Sequence, residues 1–167
     1  MNTQLNLLMV CLGNICRSPT AQAVMAARIA DAGLQDSIRV ESAGTAGYHI
    51  GKAPDPRSMA AALRRGYDMS AQRARQVSVE DFHKFDLILA MDSSNLNHLL
   101  QMAPATTADK VSLLLSHAPL STTDVPDPYH GGDNGFEQVL DLIEQACDAL
   151  LVTVQADLQG HRTTGDY

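Results

Sequence analysis

Cys11, five intervening residues and Arg17 form a spacing suited to phosphoryl chemistry. A tetrahedral dianion needs donors converging from one side, a flat positive charge against its oxygens and an attacking atom behind phosphorus. In Val10-Cys11-Leu12-Gly13-Asn14-Ile15-Cys16-Arg17-Ser18-Pro19 the thiol supplies the attacking atom. The guanidinium offers a planar fork that clamps two oxygens and follows them as they flatten in the transition state. Gly13 and Asn14 are the residue types that most readily accept left-handed backbone angles, so successive N–H groups can turn inward into an anion nest.

The flanking residues predict how this loop is held. Leu5 to Val10 is short and apolar, as in a strand buried in a parallel sheet, and its end delivers Cys11 to the sheet's carboxyl edge. Ser18 near the cap and Pro19 in the first turn suit a helix start. A helix N-terminus aimed at the loop adds unpaired N–H donors and partial positive charge, favouring an anion there and a thiolate at Cys11.

A second constellation is Asp127-Pro128-Tyr129, late in the chain. A rigid proline and a large aromatic can hold one carboxyl group over a pocket, which makes Asp127 a candidate general acid. A phenolate leaving group, with a conjugate acid of pKa about 10, gains far more from protonation than a weakly basic one. The resulting carboxylate can then activate water. Asp-Pro also starts turns, and Asp124 and Asp133 stand nearby as competitors.

Elsewhere strand and helix alternate, the signature of an α/β sheet. The pattern predicts a helix from about Ser18 to Ala32 stopped by Gly33, a strand at Ile38–Ser42 and a loop over 43–47. A helix opened by Asp55-Pro56 runs to about Arg65, with Gly66 as its stop. Asp86–Met91 reads as a central strand, and Asp92-Ser93-Ser94 cap a helix to Met102. Val111–Leu115 is a weaker strand, and 118–133 is irregular. Phe136, Val139, Leu140, Ile143, Cys147, Leu150, Leu151 and Val154 give the last helix, about Asn134–Ala156, one apolar face. A single domain over 1–157 is expected, with a polar tail over 158–167 that frays.

A chain of 167 residues suits one domain burying about two-thirds of its unfolded surface. With 12 Lys+Arg against 19 Asp+Glu and a formal charge of −7, it lacks the basic footprint of a nucleic-acid binder, so attraction for phosphate must be local to the loop. The N-terminal segment has neither a signal-peptide pattern nor a membrane-spanning stretch, which makes the cytoplasm the expected compartment. Three cysteines, two of them in the loop, point to reactive thiols over a disulfide scaffold. The six histidines are scattered without metal-ligand spacing; no metal and no other cofactor is expected. Met25, Met59 and Met91 fall in apolar patterns and read as core. A monomer is the simplest expectation.

VCLGNICRSP, the later Glu41-Ser42-Ala43-Gly44-Thr45 and Asp127-Pro128-Tyr129 resemble the low-molecular-weight protein tyrosine phosphatases, bacterial members included, in order and spacing over nearly the full chain. Residues 66–76 and Ala90-Met91-Asp92 are similar to that family's middle region. The resemblance implies a four-stranded parallel sheet with helices on both faces, a Rossmann-like three-layer sandwich. It implies Cys11 as nucleophile, Arg17 as phosphate clamp and Asp127 as acid then base. Ser18 would hydrogen-bond the thiolate or leaving sulfur, while Asn14 and Ser42 hold the loop's shape. Leu12, Ile15, Tyr48 and Tyr129 would wall an aromatic slot for phosphotyrosine. Cys16 would trap an oxidised Cys11 as a reversible disulfide. The implied partner is a phosphotyrosine protein, a bacterial tyrosine kinase among the candidates, with phosphate or another oxyanion in the loop.

One position departs from many relatives: Gln72 stands where they carry a histidine in a network with the loop Asn and Ser. Glutamine can hydrogen-bond there but takes no charge, so the network should persist with a different pH response. Three other functions compete with this reading. A thiol-linked arsenate reductase needs two further cysteines in a mobile segment, and none lies between Cys16 and Cys147. The protein-arginine phosphatases, the nearer competitor, are a branch with a smaller Thr at the loop position of Ile15, so Ile15 favours the tyrosine side. A silent phosphate-binding module is disfavoured by intact Cys11, Arg17, Ser18 and Asp127.

Overall fold

The computed structural model describes residues 4–128 and 133–165. Its centre is a four-stranded parallel sheet in the order β2-β1-β3-β4, built from β1 (Leu5–Cys11), β2 (Ile38–Gly44), β3 (Leu87–Ala90) and β4 (Val111–Leu113). Alternation along β1 assigns its side chains to two cores. Leu7, Met9 and Cys11 pack toward α1 (Arg17–Asp31), α2 (Pro56–Arg64) and α5 (Asp133–Gly165). Leu8 and Val10 face the opposite way, with Phe82 of α3 (Asp81–Lys84) and Leu99 of α4 (Ser93–Met102). From Leu7 on, β1 is therefore buried on both sides, which explains the apolar run Leu7–Cys11.

After β1 the chain adds β2 on one flank and then β3 on the other, so β1 and β3 form a topological switch point. Loops leaving the carboxyl ends of two such strands diverge and leave a crevice between them. Cys11 ends β1, and Asp92 follows β3 at that same edge.

Several boundaries differ from the sequence expectation for identifiable reasons. β2 runs two residues further, to Gly44, because Gly44 N–H donates to Arg75 O at 2.8 Å and Gly44 O accepts from Val77 N at 2.8 Å. α1 starts at Arg17 with Cys16 at the cap, one residue early, since the Ser18 hydroxyl is engaged elsewhere than in capping. β4 ends at Leu113 and passes into a 3₁₀ turn, Leu114–His117. α3 and the 3₁₀ turn Ala105–Lys110 are too short for a periodic signal. α5 does not stop near Ala156 but continues to Gly165, because Leu158 extends the stripe of Leu150 and Val154 into the core. The helix bound thus lies nine residues beyond the one expected.

Asp55 caps α2 as expected, accepting from Arg57 N at 2.8 Å. Burial opposes its charge, but the side-chain and backbone hydrogen bonds from Arg57 outweigh it and hold the carboxyl below the ordinary 3.8. A depressed carboxyl contributes stability above its unfolded value and loses it as pH falls through the folded one. Asp55→Ala should cost about 1 kcal/mol at pH 7. Urea titrations should show the gap from the unmodified protein closing as the pH is taken below 3.8.

Candidate active site

At the carboxyl edge of β1 the chain turns sharply toward α1. Asn14 takes φ +58°, the left-handed region, and is the sole non-glycine among the described residues with positive φ. Its buried side chain makes this conformation tolerable: Nδ2 donates to Ser18 Oγ at 2.8 Å and Ser42 Oγ at 3.0 Å, and Oδ1 accepts from Arg75 N at 3.0 Å. Gly13 has no positive φ, and its lack of a side chain lets His49 approach closely. A Cβ there would lie 2.9 Å from His49 Cδ2. Gly44 is a second close approach, since a Cβ would sit 2.7 Å from Leu12 O.

Behind the loop Ser18 Oγ lies 3.0 Å from Cys11 Sγ, both buried. Ser42 donates in turn to Gln22 Oε1 at 2.6 Å. Gln72 stands apart from the Asn14–Ser42 network in which it was expected. Its Nε2 donates to Pro19 O at 3.0 Å, and its Oε1 is buried without a partner. Gln72 therefore braces the first turn of α1, while Gln22 and the Arg75 main chain complete the support of Asn14.

Arg17 is buried, and one end of its fork is fully occupied. NH1 donates to Asp92 Oδ2 at 2.6 Å and to Val125 O at 3.0 Å, while NH2 faces Asp127 Oδ2 at 3.8 Å. Burial opposes the guanidinium charge, but the charges of Cys11, Asp92 and Asp127 and the Asp92 hydrogen bond outweigh it and raise its pKa. Asp92 does two things at once: Oδ1 caps α4 by accepting from Asn95 N at 2.8 Å, and Oδ2 orients Arg17. Asp124 is committed to the same helix start, accepting from Ser93 N and Oγ, which leaves Asp127 as the aspartate facing Arg17's open end.

These residues surround a cleft of about 210 Å³ lined by Cys11, Leu12, Gly13, Ile15, Cys16, Arg17, Tyr48, His49 and Asp127. Tyr48 and His49 meet edge to face on its wall, 6.4 Å between centroids. Tyr129, expected on the opposite wall, lies outside the described residues. A thiol at the floor, a guanidinium beside it and a carboxyl at the rim form a set that can bind a phosphoryl group, attack it and protonate what leaves. Among the described residues no group of three His, Cys, Asp or Glu side chains is placed to hold a metal, and no helix is long and apolar enough to cross a membrane.

A sequence model of the low molecular weight phosphotyrosine protein phosphatases matches residues 6–160. The chain belongs to that family. It is a phosphatase, an enzyme hydrolysing phosphotyrosine, as its relatives' names state of them. The low molecular weight protein-tyrosine-phosphatase of Streptomyces coelicolor is 44% identical over 155 residues, 90% of this chain and 94% of its own length. The human low molecular weight phosphotyrosine protein phosphatase is 43% identical over 148 residues, 87% and 93% of the two chains. A protein tyrosine phosphatase structure from Entamoeba histolytica superposes with a TM-score of 0.90 at 40% identity, covering 92% of this chain and 99% of that one. The expected three-layer α/β fold is the family's.

For this phosphatase the sequence missed Asp92 as Arg17's partner, His49 as cleft wall and Gln22 as loop support. Asp92 was legible as a helix cap, a role it also plays. Only its place after β3, beside β1, signals the second role. Cys147 lies fully buried in α5, 4.0 Å from Ala21 O, far from the surface position that a thiol relay needs.

Two measurements test this geometry. Asp92→Ala removes the carboxylate that hydrogen-bonds and orients the buried Arg17, and should weaken competitive inhibition by inorganic phosphate about tenfold, the worth of one charge-assisted hydrogen bond. Cys16 is pushed up to about 12, by burial first, with the charges of Asp55 and Cys11 adding and a hydrogen bond with Ser58 opposing. It is therefore a neutral thiol at pH 7. Burial likewise pushes Cys147 up. Peptide mass spectrometry after iodoacetamide treatment at pH 7 should find both unmodified in the folded protein.

Proposed function

We propose that this phosphatase works through a cysteinyl-phosphate intermediate, with Cys11 as nucleophile, Arg17 as phosphate clamp and Asp127 as general acid and then base. The observation that carries this is the convergence of the Cys11 thiol, the half-occupied Arg17 fork and the Asp127 carboxyl on one cleft at the start of α1. The thiolate attacks phosphorus in line. The bond from phosphorus to the tyrosine oxygen breaks, and Asp127 gives that oxygen its proton. Water then attacks the phosphocysteine, Asp127 takes the water proton, and the S–P electron pair returns to Cys11 as inorganic phosphate leaves. The main-chain N–H groups of Leu12, Gly13, Asn14, Ile15 and Cys16, with Arg17, would bind the equatorial oxygens where charge builds.

Leu12, Ile15 and Tyr48 on the cleft wall support an aromatic substrate, and the apolar Ile15 speaks for phosphotyrosine over phosphoarginine. Tyr129 would complete the slot. Cys16 would serve as redox partner to Cys11, forming a disulfide with a sulfenic Cys11 by loss of water. Its place at the cap of α1, five residues on and on the same cleft, supports that role. Monomeric action in the cytoplasm on a phosphotyrosine protein, such as a bacterial tyrosine kinase, belongs to the same proposal. The residues preceding 158 form the catalytic unit.

Hydrolysis of a phosphotyrosine peptide in the presence of chelator tests the assignment. Cys11→Ser should abolish turnover. Asp127→Ala should lower kcat by about 10²–10⁴, the usual worth of general acid catalysis, with a smaller loss for an ester whose leaving group is weakly basic. Full turnover by Cys11→Ser would sink the nucleophile, and an equal loss on both esters would remove Asp127 as the acid.

A further inference from the structure

The hydrogen bonds behind the loop run in one direction. A main-chain N–H can only donate, and that of Arg75 donates to Asn14 Oδ1, which turns both Nδ2 hydrogens toward the two serines. Ser18 Oγ and Ser42 Oγ each accept one hydrogen from Asn14, so each must place its own elsewhere. Ser42 gives its hydrogen to Gln22 Oε1 at 2.6 Å. Ser18 has Cys11 Sγ at 3.0 Å and Ala43 O at 3.4 Å, and the sulfur is the nearer acceptor. Gln22 sits half-buried on the second turn of α1 and lines no part of the cleft. Apart from Cys11, no side chain along this path titrates.

We propose that Gln22 is a positioning residue for the phosphatase reaction: by accepting the Ser42 hydroxyl hydrogen it closes an oriented chain that keeps the Ser18 hydroxyl hydrogen on Cys11 Sγ. This rests on Cys11 being the nucleophile, as proposed above. The effect falls on the second half-reaction. As water oxygen bonds to phosphorus, the S–P pair moves onto Cys11 Sγ and the water proton goes to Asp127. The Ser18 O–H then meets the charge arriving at sulfur. In the first half-reaction that charge is already present in the free thiolate, so the same bond gives little net acceleration. Without an acceptor at residue 22, the Ser42 hydroxyl turns to find another, Asn14 loses one of its three ties, and Ser18 is no longer held toward sulfur.

The test is steady-state and rapid-mixing kinetics on a phosphotyrosine peptide or aryl phosphate at pH 7. Gln22→Met keeps the side chain's length and removes the acceptor. Gln22→Lys replaces the acceptor by a donor whose charge can stay in water, which guards against a packing artefact of the methionine. Both should lower kcat and KM together by about threefold to tenfold, the scale of one lost hydrogen bond, with kcat/KM nearly unchanged. Both should also show a burst of phenol at least as large as that of the unmodified protein, followed by a slower steady state, as phosphocysteine accumulates. Gln22→Glu, which restores an acceptor, should recover kcat and return the burst to that of the unmodified protein. Unchanged kcat in both variants overturns the proposal, as does a fall in kcat with a diminished burst or an equal loss in Gln22→Glu. Any of these leaves the phosphatase reading standing. Turnover that survives Cys11→Ser would instead overturn the nucleophile assignment and the role of Gln22 with it.

Discussion

Three hydrogen bonds to one side chain, that of Asn14, hold the left-handed turn on which the site depends. A non-glycine residue in that conformation carries a steric cost and persists where its surroundings over-determine it. Here they come from three places in the chain: Ser18 in α1, Ser42 in β2 and the main chain of Arg75 in the segment before α3. Arg75 is itself anchored, its guanidinium bonding both oxygens of the buried Asp81 at 3.0 and 3.2 Å. The loop's shape is thus tied to three separate elements of the fold, and donors held in place by such ties need little reorganisation when charge develops.

The same segment braces the wall of the cleft. Ala74 exchanges main-chain bonds with Gly51 and Lys52, and Gln76 reaches Thr45 O, so the stretch bearing Tyr48 and His49 is tied to the strand of chain that fixes Asn14. The phosphate loop and the aromatic wall share one support. His49 over Gly13 joins them directly. The acidic balance of the whole chain, −7, therefore coexists with an anion site, because the cleft is defined by local dipoles and one buried guanidinium rather than by the long-range field.

What could be read from the sequence was what short range encodes. The apolar run of β1, the Cys11-to-Arg17 spacing and the apolar stripe of α5 each declare themselves within a few residues. Asp127 needed the chemistry of a phenolate and a resemblance to single it out from Asp124, which the fold commits to the start of α4. Asp92, Gln22 and His49 stayed hidden because each is an ordinary residue locally, a cap, a helix-surface amide and a loop histidine. Their roles arise from partners that only the tertiary fold brings near. Gly13 shows a subtler difference: its backbone is not left-handed, and what a side chain there would meet is the ring of His49. Leu158 shows that one apolar residue in register can carry a helix past a polar stretch.

Arg17 is fastened by acceptors 75 and 108 residues away in sequence, at Asp92 and Val125. Val125 is itself stitched to the end of β3, its N–H donating to Met91 O at 2.7 Å. Contacts of such long range close large loops. A growing chain would carry the thiol and the guanidinium long before it had the carboxyl and the carbonyl that hold the guanidinium in place. The cleft is therefore complete only once synthesis has passed Asp127, about three-quarters of the way along the chain, and its early and late parts have met.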